Sequence, residues 1–91
     1  MRTIDATELT AIDAQVVRTE DLHGLRCPMP ILRTKKALAQ MSAGQILKVI
    51  TTDPAAVDDL AVFTKQTGHR LLAQAVQSDG QSVAHWIAHK E

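Results

Sequence analysis

The sequence predicts a two-layer α/β (α+β) sandwich, ordered β-α-β-α-β-β, with a mixed four-stranded sheet and two helices on one face. Three observations predict it. Two amphipathic segments each open on a proline and close near a glycine, Pro28 to Gly44 and Pro54 to Gly68. Runs rich in β-branched and aliphatic residues surround them. The last two runs are separated by Asp79-Gly80, a strong hairpin signal. Right-handed crossovers then place both helices on the same side of the sheet. The other side is left to meet solvent or a partner.

Each element has its own signature. Residues 15–22, with Val16, Val17 and Thr19, read as a first strand. His23 to Arg26 form a loop in which Gly24 is free to take positive φ. Pro28 suits the first helical position, where its missing N–H is no loss. Ile31, Leu32, Leu38 and Met41 then share one face, and Gly44 is the stop. Ile46 to Ile50 is apolar on both sides of the pleat, as a central strand must be. Asp53 and Pro54 are the expected N-cap and first residue of a second helix, whose buried face holds Val57, Leu60, Ala61 and Thr64. Asp58 and Asp59 sit in its early turns, where the helix dipole favours acids. Residues 69–77 and 82–89 complete the sheet. Residues 1–14 read as a weakly structured extension, either disordered or holding one or two helical turns from Asp5-x-x-Glu8. Residues 15–91 read as a single domain.

Ninety-one residues with 45% hydrophobic content can form one small core, but leave little volume for a deep pocket. Ten basic and ten acidic residues cancel, which argues against general nucleic-acid binding. No apolar run approaches the roughly 18 residues of a membrane span. The N-terminus has no signal-like apolar stretch, and the single cysteine excludes an internal disulfide. A cytoplasmic, reducing setting is expected.

In that setting the stretch Leu25-Arg26-Cys27-Pro28-Met29-Pro30 stands out. Cys27 is expected at the N-cap of the first helix, where first-turn amides lower a thiol pKa. Pro28 and Pro30 withhold two of those amides and supply rigidity instead. Arg26, Arg33, Lys35 and Lys36 fall in a run without acids, a positive collar expected to favour a thiolate and to attract a partner. Asp21 reads either as a strand-end residue or as a brace for the Cys27 loop. Asp53 reads first as a helix cap.

Companions of a self-sufficient catalytic thiol are missing. His23 is near in sequence, but no orienting acid or amide is evident. A dithiol mechanism needs a second cysteine. His85 and His89 would invite a metal reading on a helix, where i and i+4 share a face, and the strand reading makes a metal site unexpected. His69 is expected to pack at a strand start and Trp86 in the core or on a sheet face. No cofactor is implied. What remains is one-thiol chemistry completed by another protein. The alternatives are a regulatory or adaptor module whose cysteine is structural, and a redox sensor.

The set Asp21-x-x-Gly24-Leu25-x-Cys27-Pro28-x-Pro30, Thr52-Asp53-Pro54 and Phe63-x-x-x-x-Gly68-His69 resembles the TusA/SirA sulfur-carrier family over roughly residues 16–90. The resemblance implies a βαβαββ fold and a persulfide on Cys27, filled by a cysteine desulfurase or a rhodanese-type donor. It implies an acceptor protein in tRNA thiolation, molybdenum-cofactor maturation or sulfur oxidation. It also implies partner contacts through Lys35, Lys36 and the Asp53 region. The N-terminal extension departs from the family's compact pattern.

Overall fold

The computed structural model describes residues 5–91, so the first four residues of the extension lie outside the described residues. The elements are α1 (Ala6–Asp13), β1 (Val16–Leu22), α2 (Met29–Ala39), β2 (Ile46–Thr51), α3 (Ala56–Thr67), β3 (Arg70–Val76) and β4 (Val83–Ala88). Strand order is β1-β2-β4-β3. β1 and β2 are parallel, while β4 is antiparallel to both β2 and β3. This is the mixed sheet expected of the sequence, and the largely apolar β2 is internal, as its composition requires.

The sheet buries both faces. Leu47, Val49 and Ile87 point to one side, where they pack with Leu38 of α2 and Leu60 of α3. Their neighbours Ile46, Trp86 and Ala88 point to the other, as the two-residue period of a strand dictates. Each fully buried leucine or isoleucine contributes about 1.5–3 kcal/mol of apolar burial. The second face is not simply open. Asp5 caps α1 by accepting from the Glu8 amide at 2.8 Å, and Leu9 and Ile12 of α1 pack on the Ile46–Trp86 side.

Helix ends depart from expectation in three places. α2 starts at Met29 with Pro28 as its N-cap, so Cys27 lies one residue before the cap. The reason is visible in the backbone: the Leu32 amide donates to the Pro28 carbonyl at 3.1 Å, making Pro28 the first acceptor of the helix. α2 ends at Ala39 with Gln40 as its C-cap. Gly44, with φ +82°, serves the following turn rather than the helix end. α3 starts at Ala56 with Ala55 as N-cap, so Asp53 and Pro54 precede the helix. Asp53 is thereby released for another use. Gly68 does end α3, in the left-handed conformation at φ 87°.

Candidate functional site

The parallel register sets Leu22 beside Thr51, so the loops after β1 and β2 emerge side by side. The first of these carries Cys27. Gly24, at φ +79°, reverses the chain after β1. Leu25 anchors the turn by packing against the helix-side core. Pro30 is buried under α2 and holds the far end. Between these anchors Arg26, Cys27 and Pro28 are exposed.

The second loop clamps the first. The Gly24 amide donates to Thr52 Oγ1 at 2.9 Å. The Cys27 amide donates to Asp53 Oδ2 at 2.8 Å. The other carboxylate oxygen of Asp53 accepts from the Ala55 amide at 3.1 Å. One side chain therefore ties the thiol loop to the entrance of α3. A cavity of about 360 Å³ opens between the loops, lined by Gly24, Leu25, Arg26, Thr52, Asp53 and Pro54. The Ala55 and Cys27 amides, followed by nearby Arg26, hold the Asp53 carboxyl below the usual carboxylate range.

The electrostatics at sulfur reverse the expectation of an activated thiolate. The Cys27 pKa is raised, first by desolvation, then by the Asp59 carboxylate and then by Asp53. The collar does not act as predicted because Arg33, Lys35 and Lys36 are exposed along α2 and Arg26 lies near Asp53, while acids of the neighbouring loop and helix face the thiol. The helix amides contribute little. The Met29 amide donates to the Arg26 carbonyl at 2.8 Å, and Pro30 has none to give.

Asp21 braces the start of the thiol loop but does not reach Cys27. Its Oδ1 accepts from the His23 amide at 3.1 Å and contacts His23 Nδ1. His23 Nε2 is turned to Asp79, 3.8 Å away. Flanked by two acids, His23 has its pKa raised, by Asp21 above all. Asp21 is the orienting acid that the sequence does not advertise, but the ring it orients faces Asp79. Asp79, holding the Ser82 and Gln81 amides in the hairpin turn, has a pKa of about 2.

The remaining candidates are elsewhere. Arg33, Lys35 and Lys36 are exposed on α2. Lys35 reaches a separate groove of about 300 Å³ at the far ends of α2 and α3, with Phe63, His69 and His89. His69 stacks on Phe63 with centroids 6.2 Å apart. His85 is fully buried on the helix side of β4. Among the described residues no group of three or more His, Cys, Asp or Glu could hold a metal ion. Sequence reasoning missed the role of Asp59, and the inner face expected to hold Ile31, Leu32, Leu38 and Met41 is corrected at Leu32, which is exposed, as is Met29. Met29 and Leu32 stand three residues apart and so share one helix face, whereas Asp59 reaches the thiol only through the tertiary fold.

Fold and site together define a class: a small α+β domain that displays one thiol on a clamped loop before a helix. The profile of the family described as Sulfurtransferase TusA matches residues 18–87, and the chain belongs to that family. It is 58% identical over 52 residues to the sulfur carrier protein TusA of Allochromatium vinosum, covering 57% of this chain and 68% of that one. It is 39% identical over 72 residues to the TusA of Pseudomonas entomophila, covering 79% and 88%. The crystal structure of a SirA-like protein from Desulfitobacterium hafniense superposes with a TM-score of 0.72 at 26% identity, covering 82% of this chain and all of that one. No described helix is long and apolar enough to cross a membrane.

Proposed function

We propose that this protein is a sulfur carrier in which Cys27 holds sulfane sulfur as a persulfide. The observation that carries the reading is the exposure of the chain's one thiol on a loop held at both its ends. The relatives named as sulfur carriers support the same reading. Exposure also weighs against a structural cysteine, which would be buried.

The step is an exchange. The Cys27 sulfur attacks the outer sulfur of a donor persulfide. A new S–S bond forms at Cys27, the donor's S–S bond breaks, and the donor's inner sulfur leaves as a thiolate that takes up the proton. No net oxidant is needed. A thiol with a raised pKa is mostly protonated at neutral pH, so free carrier is quiet and deprotonation falls to the complex with the donor. The protein is thus a relay partner rather than a self-contained enzyme. The donor is a cysteine desulfurase or a rhodanese-type protein. The acceptor belongs to tRNA thiolation, molybdenum-cofactor maturation or sulfur oxidation, and the setting is the cytoplasm. Met29 and Leu32 supply apolar contact next to the thiol, and Arg26, Arg33, Lys35, Lys36 and Asp53 supply charge.

The test is loading with each donor class: a desulfurase with cysteine, and a rhodanese with thiosulfate. Intact mass rises by one sulfur with at least one donor, falls back with reductant, and does not rise in Cys27→Ser. Failure of every donor to load the folded protein contradicts the proposal.

A further inference from the structure

His85 is fully buried, and nothing in the sulfur exchange uses it. An aliphatic side chain would fill its place on β4, between Val49 and Gln74, more simply. A buried imidazole is tolerated only when its nitrogens are bonded. Both nitrogens are bonded here. Nε2 lies 2.8 Å from Thr51 Oγ1 on β2. Nδ1 lies 3.0 Å from Gln74 Nε2 on β3. The same Gln74 amide donates to the Val57 carbonyl, in the first turn of α3, at 2.9 Å. A side-chain amide nitrogen carries two hydrogens, so one goes to Val57 and the other to His85. His85 then donates from Nε2 to Thr51. Three strands and one helix are joined by a single chain of donors.

The ends of that chain, Thr51 and Val57, bracket the segment that meets the thiol loop. Thr52 and Asp53 lie between them and accept from the Gly24 and Cys27 amides. Asp59 follows Val57 by two residues, and its carboxylate bears on the sulfur. We propose that His85 is a positioning residue for Cys27: through Thr51 and Gln74 it fixes the segment 51–59, and so sets how closely Asp53 and Asp59 approach the thiol. Its value to sulfur transfer rests on the carrier reading of Cys27; its grip on the thiol does not. Removing the imidazole strands the Thr51 hydroxyl and the Gln74 amide in the core, and the segment must shift to satisfy them. The acids then retreat from the sulfur, and the thiolate becomes easier to form.

The test compares His85→Leu with His85→Gln, which keeps a donor and an acceptor in place of the ring. Gln74→Leu cuts the same chain at a half-buried position and serves if His85→Leu does not fold. Ile87→Ala is the control: it lies on the same strand and face but pairs with Leu47 and Leu71, and so lowers stability away from this segment. Two readouts are followed in folded protein. One is the pH profile of Cys27 alkylation by a small reagent; the other is hydrogen exchange at the Cys27 amide. In His85→Leu and Gln74→Leu the profile moves to lower pH, and alkylation at neutral pH quickens severalfold. Exchange at the Cys27 amide speeds up by about tenfold or more. His85→Gln and Ile87→Ala stay close to wild type in both readouts, although Ile87→Ala unfolds at lower denaturant. Wild-type behaviour in both His85→Leu and Gln74→Leu, an equal shift in Ile87→Ala, or a His85→Gln profile matching His85→Leu overturns the proposal. Neither readout involves a sulfur donor. A wild-type chain that no donor loads would remove the carrier reading and leave this one standing, whereas normal loading with unshifted profiles would remove this one alone.

Discussion

The backbone amide of Cys27 and the carboxylate of Asp53 meet at 2.8 Å, joining residues 26 apart in the chain. The same carboxylate turns the chain into α3. The thiol loop is therefore tied to the entrance of the third helix. The bond also places a negative charge close to the sulfur it positions.

Geometry and charge can be separated at this residue. Asp53→Asn keeps an acceptor for the Cys27 amide but removes the charge, so the thiol pKa falls and alkylation at neutral pH quickens. Asp53→Ala removes the clamp as well, and hydrogen exchange at the Cys27 amide accelerates. Asp59 raises the thiol pKa more than Asp53 does. Asp59→Asn is accordingly expected to shift the pH profile of alkylation further down than Asp53→Asn. A profile unchanged in both variants would remove the two acids from the account.

Acid stability is governed in part by His85. Its Nε2 lies 2.8 Å from Thr51 Oγ1, its Nδ1 lies 3.0 Å from Gln74 Nε2, and Gln74 Nε2 also donates to the Val57 carbonyl. Gln74 donating to Nδ1 makes the ring a neutral Nε2–H tautomer. Burial pushes its pKa down from 6.5 to about 4. Between those values the unfolded chain binds the proton more readily than the folded one, so stability falls as pH drops through that window. The loss is about 3 kcal/mol once the window is crossed. His85→Gln flattens this part of the curve in urea titrations made at a series of pH values. His23 carries the opposite sign: its raised pKa gives a contribution present below pH 6.5 and lost as pH rises through the folded value.

Thr34 is fully buried in α2, and its hydroxyl has no hydrogen-bond partner among the described residues. Thr34→Val keeps the shape and removes the stranded oxygen, for an expected gain of about 1 kcal/mol. Leu60→Ala, in the same layer, empties volume beneath α3 and costs about 2–5 kcal/mol. Denaturation midpoints of the two variants should move in opposite directions.

Docking charge is tested without touching the thiol. Lys35→Glu with Lys36→Glu is expected to slow sulfur loading from a donor protein severalfold while leaving alkylation by a small reagent unchanged. Equal slowing of both reactions would mean that these residues act on the sulfur itself.

Particular residues explain what the sequence could reveal. β2 is legible as an internal strand because Ile46, Leu47, Val49 and Ile50 are apolar on both sides of the pleat. Cys27 is legible as exposed because prolines and a glycine flank it. The Cys27–Asp53 bond is not, since Asp53 followed by proline also fits a helix cap and only the parallel pairing of β1 with β2 brings it to the thiol. The charge at sulfur misleads for the same reason. Arg26, Arg33, Lys35 and Lys36 are neighbours in sequence, whereas Asp59 is a neighbour in space. α1 has only Leu9 and Ile12 to mark its inner side, too few to show that it packs on the sheet's second face.

The most direct test of the carrier reading is to locate the transferred atom. Heavy-sulfur cysteine is supplied with a desulfurase, or heavy-sulfur thiosulfate with a rhodanese, and the peptide spanning Cys27 is mapped by tandem mass spectrometry. The account predicts one heavy sulfur attached to Cys27, released by reductant and passed on when an acceptor protein is added. A Cys27 peptide that stays unlabelled with both donors, in protein shown to be folded, would contradict it.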